Sequence, residues 1–328
     1  MRVVALEEHV SLPAFAAELA SSPFASRDHR GGAVRVKAEL EDVEDMRIAS
    51  MDESGISVQV LSVPGLGAAL LAPDAAPSFA RRYNDALAEV VRARPDRYAS
   101  FAHLSLTAPE AAADELERAV RECGLRGALV SGTTNGKFLD DPMFAPILSR
   151  AEALDVPIYI HPGLPPESVR AAYYDGFSAP VSNFFATSGW GWHAETAVHV
   201  LRMVLAGTFD RHPKLKIIIG HMGEGLPAAL ARCDDTLPEK MTGLSRSVSR
   251  TILDQVWITT SGWFTLPPFL GALLTFGADR ILFSVDYPFA SNAIGGAFLD
   301  SLPVSPDDKI KIAHGNADRL LKLVPGHG

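Results

Sequence analysis

The chain has 328 residues, 47% of them hydrophobic, and a formal net charge of −9 without any run of five basic residues. That composition sets aside a disordered chain and argues against nucleic acid or an anionic membrane as partner. An anionic small molecule stays open, because a bound metal ion can invert the local field.

The first residues lack an apolar secretory segment; Glu7, Glu8 and His9 interrupt it at once. No apolar run approaches the roughly 18 residues of a membrane span. The two cysteines, Cys123 and Cys233, form no C-x-x-C pair. A disulfide framework or thiolate zinc site is therefore not expected, and a soluble cytoplasmic protein is.

In chain order, eight short apolar runs read as strands: Val3 to Leu6, Val58 to Ser62, Tyr98 to His103, Gly127 to Ser131, Pro157 to His161, Lys216 to His221, Val256 to Ser261 and Ile281 to Asp286. Between them lie segments of helical period. Pro77 to Arg94 places Phe79, Tyr83, Leu87 and Val90 on one stripe. Pro109 to Cys123, Pro142 to Leu154, Glu195 to Phe209, Glu224 to Thr236 and Pro267 to Gly277 follow, and Asn316 is a candidate cap for a last helix near Ala317 to Leu323. Alternating strands and helices over this length predict a single-domain (β/α)8 TIM barrel spanning 1–328, with loop insertions after strands 1 and 5. A doubly wound sheet is the rival, but no G-x-G-x-x-G turn or phosphate loop follows any strand.

The first insertion, residues 11 to 45, holds the polar cluster Ser26-Arg27-Asp28-His29-Arg30. The second, residues 162 to 193, gathers Tyr173, Tyr174, Phe177, Phe184, Phe185, Trp190 and Trp192. An aromatic loop at the active face of a barrel reads as a pocket wall or lid for a flat substrate, or as a subunit interface.

Strand ends carry the chemistry. Glu7 and His9 are two apart, so an extended chain sends both side chains from one face. Alone they read more readily as an exposed polar turn after the first strand. His161, His221 and Asp286 end three further predicted strands, and barrel sites lie at that face. Glu7, His9, His161 and Asp286 together supply two imidazoles and two carboxylates, a set suited to one Zn²⁺ or Mn²⁺ with positions left for substrate or water. His221 is then a catalytic imidazole beside the metal, and Glu8, on the other side of the strand, is structural. No bridging lysine ends the fourth strand, so one metal is expected rather than two.

The stretches Leu6-Glu7-Glu8-His9, Tyr159-Ile160-His161-Pro162, Gly220-His221-Met222-Gly223-Glu224 and Phe283-Ser284-Val285-Asp286-Tyr287-Pro288 resemble the amidohydrolase-related metal-dependent decarboxylases. That family includes the aminocarboxymuconate semialdehyde, γ-resorcylate and 2,3-dihydroxybenzoate decarboxylases. The likeness extends to Glu195-Thr196, to Phe209-Asp210-Arg211-His212-Pro213 and to Gly315-Asn316-Ala317.

The resemblance implies metal ligands at Glu7, His9, His161 and Asp286, with His221 catalytic and Glu224 holding it. It assigns Arg47 and Arg232 to the substrate, and Trp190 and Phe289 join them as candidate contacts. His103, ending the third strand, is either a pocket residue or a hydrogen-bonded strand end. Gly163 stands where several benzoate-type members carry a larger residue, often arginine.

The implied reaction is non-oxidative decarboxylation of a hydroxylated aromatic or enol-type carboxylic acid, with Asp286 as proton carrier and His221 in support. It needs one divalent metal and no organic cofactor. Metal-dependent ester, lactone or amide hydrolysis on the same scaffold is the alternative, because both reactions need the same ligands. The expected partners are the small carboxylic acid and further copies of the chain, as a homodimer or homotetramer.

Overall fold

The computed structural model describes residues 1–22 and 35–323. The cluster Ser26 to Arg30 lies outside the described residues. β1 (Val4–His9), β2 (Val58–Ser62) and β3 (Tyr98–Ser100) pair in parallel as one ladder. β4 (Ala102–His103), β5 (Ala128–Ser131), β6 (Pro157–His161), β7 (Lys216–Ile219), β8 (Val256–Thr259) and β9 (Ile281–Leu282) form a second. Only Phe101 separates β3 from β4, and its N–H donates to Leu61 O, so one strand path joins the ladders. The ring closes where Leu6 bridges Ser284 in parallel and the Leu6 N–H donates to Phe283 O. Eight strand positions thus make the expected (β/α)8 barrel.

Strand alternation divides the core in two. Ile217 and Ile219 face outward into the helix-packed cluster. Ile218 faces inward with Val4, Leu6, Val60, Phe101, Leu129, Tyr159 and Leu282. Leu320 and Leu321, from the Asn316–Leu321 helix, pack with those interior residues.

Several boundaries differ from the sequence-based expectation. The first strand runs through His9 rather than stopping at Leu6. Its register slips between Ala5 and Glu8, and Glu7 takes φ +62°, a bulge that redirects the strand's end. The Gly191–Leu205 helix starts and ends earlier than expected, and Gly207, at φ +67°, separates it from Thr208–Arg211. Asn316 does not cap its helix. Its amide instead donates to Ala278 O and Ile281 O, both at 2.7 Å, tying the helix to β9.

The second insertion folds as the helices Glu167–Tyr173 and Ala179–Ala186 and the first turn of Gly191–Leu205. Among the described residues no helix is long and apolar enough to cross a membrane.

Candidate metal centre and its cavity

Glu7 and His9 from β1, His161 from the end of β6 and Asp286 just beyond β9 bring one donor atom each within 4.8 Å of one another. His9 Nε2 lies 3.2 Å from Asp286 Oδ1, and His161 Nε2 lies 3.4 Å from Glu7 Oε1. The other nitrogen of each ring is engaged behind the cluster. His9 Nδ1 meets Ser62 Oγ at 3.0 Å, and His161 Nδ1 meets Pro162 O at 2.7 Å. A carbonyl partner fixes Nδ1 of His161 as the protonated nitrogen and turns the Nε2 lone pair toward the cluster. Burial presses the His161 pKa down to about 3, which keeps the ring neutral, as a ligand must be.

The two oxygens of Glu7 are treated differently. Oε2 receives the hydroxyls of Tyr159 and Ser261. Oε1 is buried without a hydrogen-bond partner. A buried carboxylate oxygen left so is costly unless a cation faces it. The space is also kept narrow: a Cβ on Gly220 would lie 2.9 Å from Glu7 Oε2. The donor set, its enclosure and the orphaned oxygen fit a divalent metal ion.

A second group stands beside the first. His221 Nδ1 lies 2.8 Å from Glu224 Oε1, and His193 Nδ1 lies 2.6 Å from Glu224 Oε2. His221 Nε2 points back to the cluster, 4.0 Å from both Glu7 Oε1 and Asp286 Oδ2. Burial opposes a charged His221, but the Glu224, Glu7 and Asp286 carboxylates together raise its pKa to about 10. Burial lifts the Asp286 carboxyl to about 7 against the pull of the His221 and His193 rings. Glu7, His221, Met222, Glu224 and Asp286 all hold positive φ without being glycine. Left-handed backbone costs such residues energy and is concentrated at functional sites.

The two groups face a cavity of about 310 Å³. Its walls are Leu66, Leu164, Phe184, Trp192, Trp263 and Phe289, with Ser131, Asn183, Thr187 and Ser188 as polar points. Phe289 packs edge-on to the His9 ring at 5.6 Å. The aromatic insertion therefore does wall the cavity, through Phe184 and Trp192.

Four expected substrate contacts lie elsewhere. Arg47 is fully buried, and its guanidinium donates to His9 O at 2.6 Å, Asp42 O at 2.8 Å, Glu39 O at 3.0 Å and Gln59 Oε1 at 3.1 Å. It braces the strand that carries His9 and does not line the cavity. His103 is the hydrogen-bonded strand end: its Nε2 accepts from Ala68 N at 2.8 Å, and Gly67 presses so close that any side chain there would strike the ring. Arg232 is exposed on the Leu226–Thr236 helix. Trp190 is 52% exposed, and Trp192 takes the wall position instead.

Two residues escaped the sequence reading. His193 sits on a helix rather than at a strand end, so its only signal was its place as the last residue of the aromatic insertion. Arg35 lines the cavity from the far side of the first insertion. Gly163 has a steric reason to be small, since a Cβ there would lie 2.4 Å from Gly132 Cα.

A two-imidazole, two-carboxylate cluster at the strand-end mouth of a (β/α)8 barrel defines a metal-dependent barrel enzyme. The amidohydrolase family model matches residues 9–323, and the chain belongs to that family. It is 39% identical to γ-resorcylate decarboxylase of Rhizobium radiobacter over 334 residues, covering 98% of each chain. It superposes on 5-carboxyvanillate decarboxylase of Sphingomonas paucimobilis with a TM-score of 0.89 at 30% identity, covering 98% of this chain and 99% of that one. It superposes on a dihydroxybenzoic acid decarboxylase of Polaromonas, solved with manganese and 2-nitroresorcinol, with a TM-score of 0.87 at 36% identity, covering 98% and 97%. These relatives are carboxy-lyases, in keeping with the decarboxylase reading of the sequence rather than the hydrolase one.

Proposed function

We propose that this chain is a metal-dependent, non-oxidative carboxy-lyase for a benzoic acid with a hydroxyl beside its carboxylate. The observation that carries the reading is the four-donor cluster at the floor of a cavity walled by Trp192, Trp263 and Phe289, a slot for one flat ring. The similarity to dihydroxybenzoate decarboxylases supports the same substrate class.

Glu7, His9, His161 and Asp286 would hold one Mn²⁺ or Zn²⁺. When bound, the ion supplies Lewis-acid charge that offsets the carboxylate and phenolate oxygens. The chain's own groups account for the remaining steps. Aromatic walls fix the ring plane and exclude water. Asp286 takes the proton released by the substrate hydroxyl and delivers it to the ring carbon bearing the carboxylate. As the C–H bond forms there, the C–C bond to the carboxylate breaks. Its electron pair returns to the ring, and CO₂ leaves. His221, beside Asp286, supports the carboxylate through both proton transfers, and Glu224 holds His221.

Residues 1–328 are proposed to act as one domain, assembled as a homodimer or homotetramer. The exposed side chains of Tyr173, Phe177 and Trp190 on the second insertion support self-association.

Incubating the Mn²⁺-loaded protein with 2,6-dihydroxybenzoate and its 2-hydroxy analogues tests the reaction. The expected result is CO₂ release matched by the decarboxylated phenol. Hydrolysis of esters or lactones, with no CO₂ from any of these acids, would overturn the proposal.

A further inference from the structure

Glu224 is a fully buried carboxylate held from two sides by two different elements. His221 comes from the turn after β7 and bonds Oε1, whereas His193 comes from the first turn of the Gly191–Leu205 helix and bonds Oε2. A carboxylate gripped at one oxygen can rotate about its terminal torsion, which is broad and soft. One gripped at both oxygens cannot. The sequence resemblance accounted for Glu224 and His221 but not for His193.

The His193 ring is itself closely confined. It is 3% exposed and packs against the His221 ring at 4.6 Å and the Trp263 ring at 5.3 Å. Its Nε2 lies 3.3 Å from the Trp192 indole N–H and 3.2 Å from Ser188 O, both in the wall of the cavity. Glu224 accepts only, so Nδ1 of His193 must carry the proton it donates. His193 thus ties the wall of the second insertion to the group that aims His221 at Asp286.

We propose that His193 is a positioning residue for the decarboxylation: by holding Glu224 Oε2 it fixes that carboxylate, and through it the ring of His221. The inference rests on the carboxy-lyase reading of the site. Removing a hydrogen-bond partner of this kind behind an active group costs about 10- to 100-fold.

Three substitutions separate aim from mere bulk. His193→Ala removes the bond. His193→Asn keeps a donor at the position of Nδ1, within reach of Glu224. His193→Gln places its donor at the position of Nε2 and misses Glu224. The expected result is a kcat loss of about 10- to 100-fold in His193→Ala and His193→Gln, with KM and metal content little changed and with recovery in His193→Asn. A second readout needs no turnover. In Zn²⁺-loaded, ¹⁵N-histidine-labelled protein, the three variants all lack the ring 4.6 Å from His221, and against that common background the His221 Nδ1–H resonance of His193→Asn stands apart from those of His193→Ala and His193→Gln, toward the unsubstituted protein. That arm stands even if none of the acids tested releases CO₂, so failure of the substrate reading and failure of the clamp are distinguishable. Should His193→Ala not fold, the contrast between His193→Asn and His193→Gln decides. A His193→Asn resonance that coincides with the other two, or a rise in KM with unchanged kcat, would make His193 a wall residue and sink the proposal.

Discussion

Glu7 and Glu8 leave opposite sides of one strand end, and both carboxylates are completely buried. Glu8 accepts the backbone N–H groups of Val285 at 2.9 Å and Tyr287 at 3.1 Å, the two residues that flank Asp286. Burial raises its pKa to about 8, although those two N–H groups pull the other way. Glu7 uses one oxygen on Tyr159 and Ser261 and leaves the other without a hydrogen-bond partner. A satisfied buried carboxylate holds structure together. An unsatisfied one beside His161, His9 and Asp286 holds a place for a cation at the expense of stability. One face of the strand therefore builds the site, and the other face aims it.

The largest expected effect lies on the site-building face. Asp286→Asn keeps the shape of the side chain and removes the proton carrier. It lowers kcat by about 10²–10⁴-fold. Steady-state rates at confirmed metal occupancy check this, and near-full turnover of a confirmed substrate removes Asp286 from the proton path.

Opposite stability changes then separate the two glutamates. In metal-free protein, Glu8→Ala leaves two buried N–H donors unpaired and lowers stability by about 1–3 kcal/mol for each. Glu7→Gln keeps an acceptor for Tyr159 and Ser261 and removes the carboxylate oxygen that has no hydrogen-bond partner, so metal-free stability holds or rises while metal binding is lost. Denaturant melts of both variants, with and without Mn²⁺, measure the pair. Equal destabilisation by both would erase the distinction drawn between the faces.

A smaller effect follows from comparing His161 with His103, which also ends a strand. Burial lowers the His103 pKa from 6.5 to about 4. The unfolded chain takes up this proton in that interval while the folded chain does not. The stability from His103 is therefore complete above pH 6.5 and falls as the pH drops to about 4, by about 3 kcal/mol in all. His103→Gln still offers an acceptor to Ala68 N but cannot titrate. Its stability profile should flatten in that window, as pH-dependent denaturant titrations would show.

Much of the fold was legible because eight short apolar runs end in, or directly before, polar residues, and the strand-end rule then points to Glu7, His9, His161 and Asp286. The bulge at Glu7 was not legible. Alternation correctly puts Glu7 and His9 on one face, but a register slip adds one residue that no local pattern in Leu6-Glu7-Glu8 announces. Arg47 misled for a related reason. An arginine near a site suggests an anion, whereas here the guanidinium makes four hydrogen bonds, to the carbonyls of His9, Glu39 and Asp42 and the amide oxygen of Gln59, which come together only on folding. Trp190 and Trp192 differ by two residues at the start of one helix. Which of them faces the cavity depends on where that helix begins, and Gly191 set the boundary earlier than the periodicity indicated. His193 was hidden by the same shift.

The central claim is that the four strand-end residues, and no others, hold the metal. The described residues offer one rival group of donors, His193, His221 and Glu224. A crystal of the protein grown with Mn²⁺ and measured at the manganese edge tests the claim most directly. The account predicts one anomalous peak bounded by Glu7, His9, His161 and Asp286, with the His193–Glu224–His221 hydrogen bonds intact beside it. A peak between His193 and His221, or none at the strand ends at full Mn²⁺ loading, would contradict it.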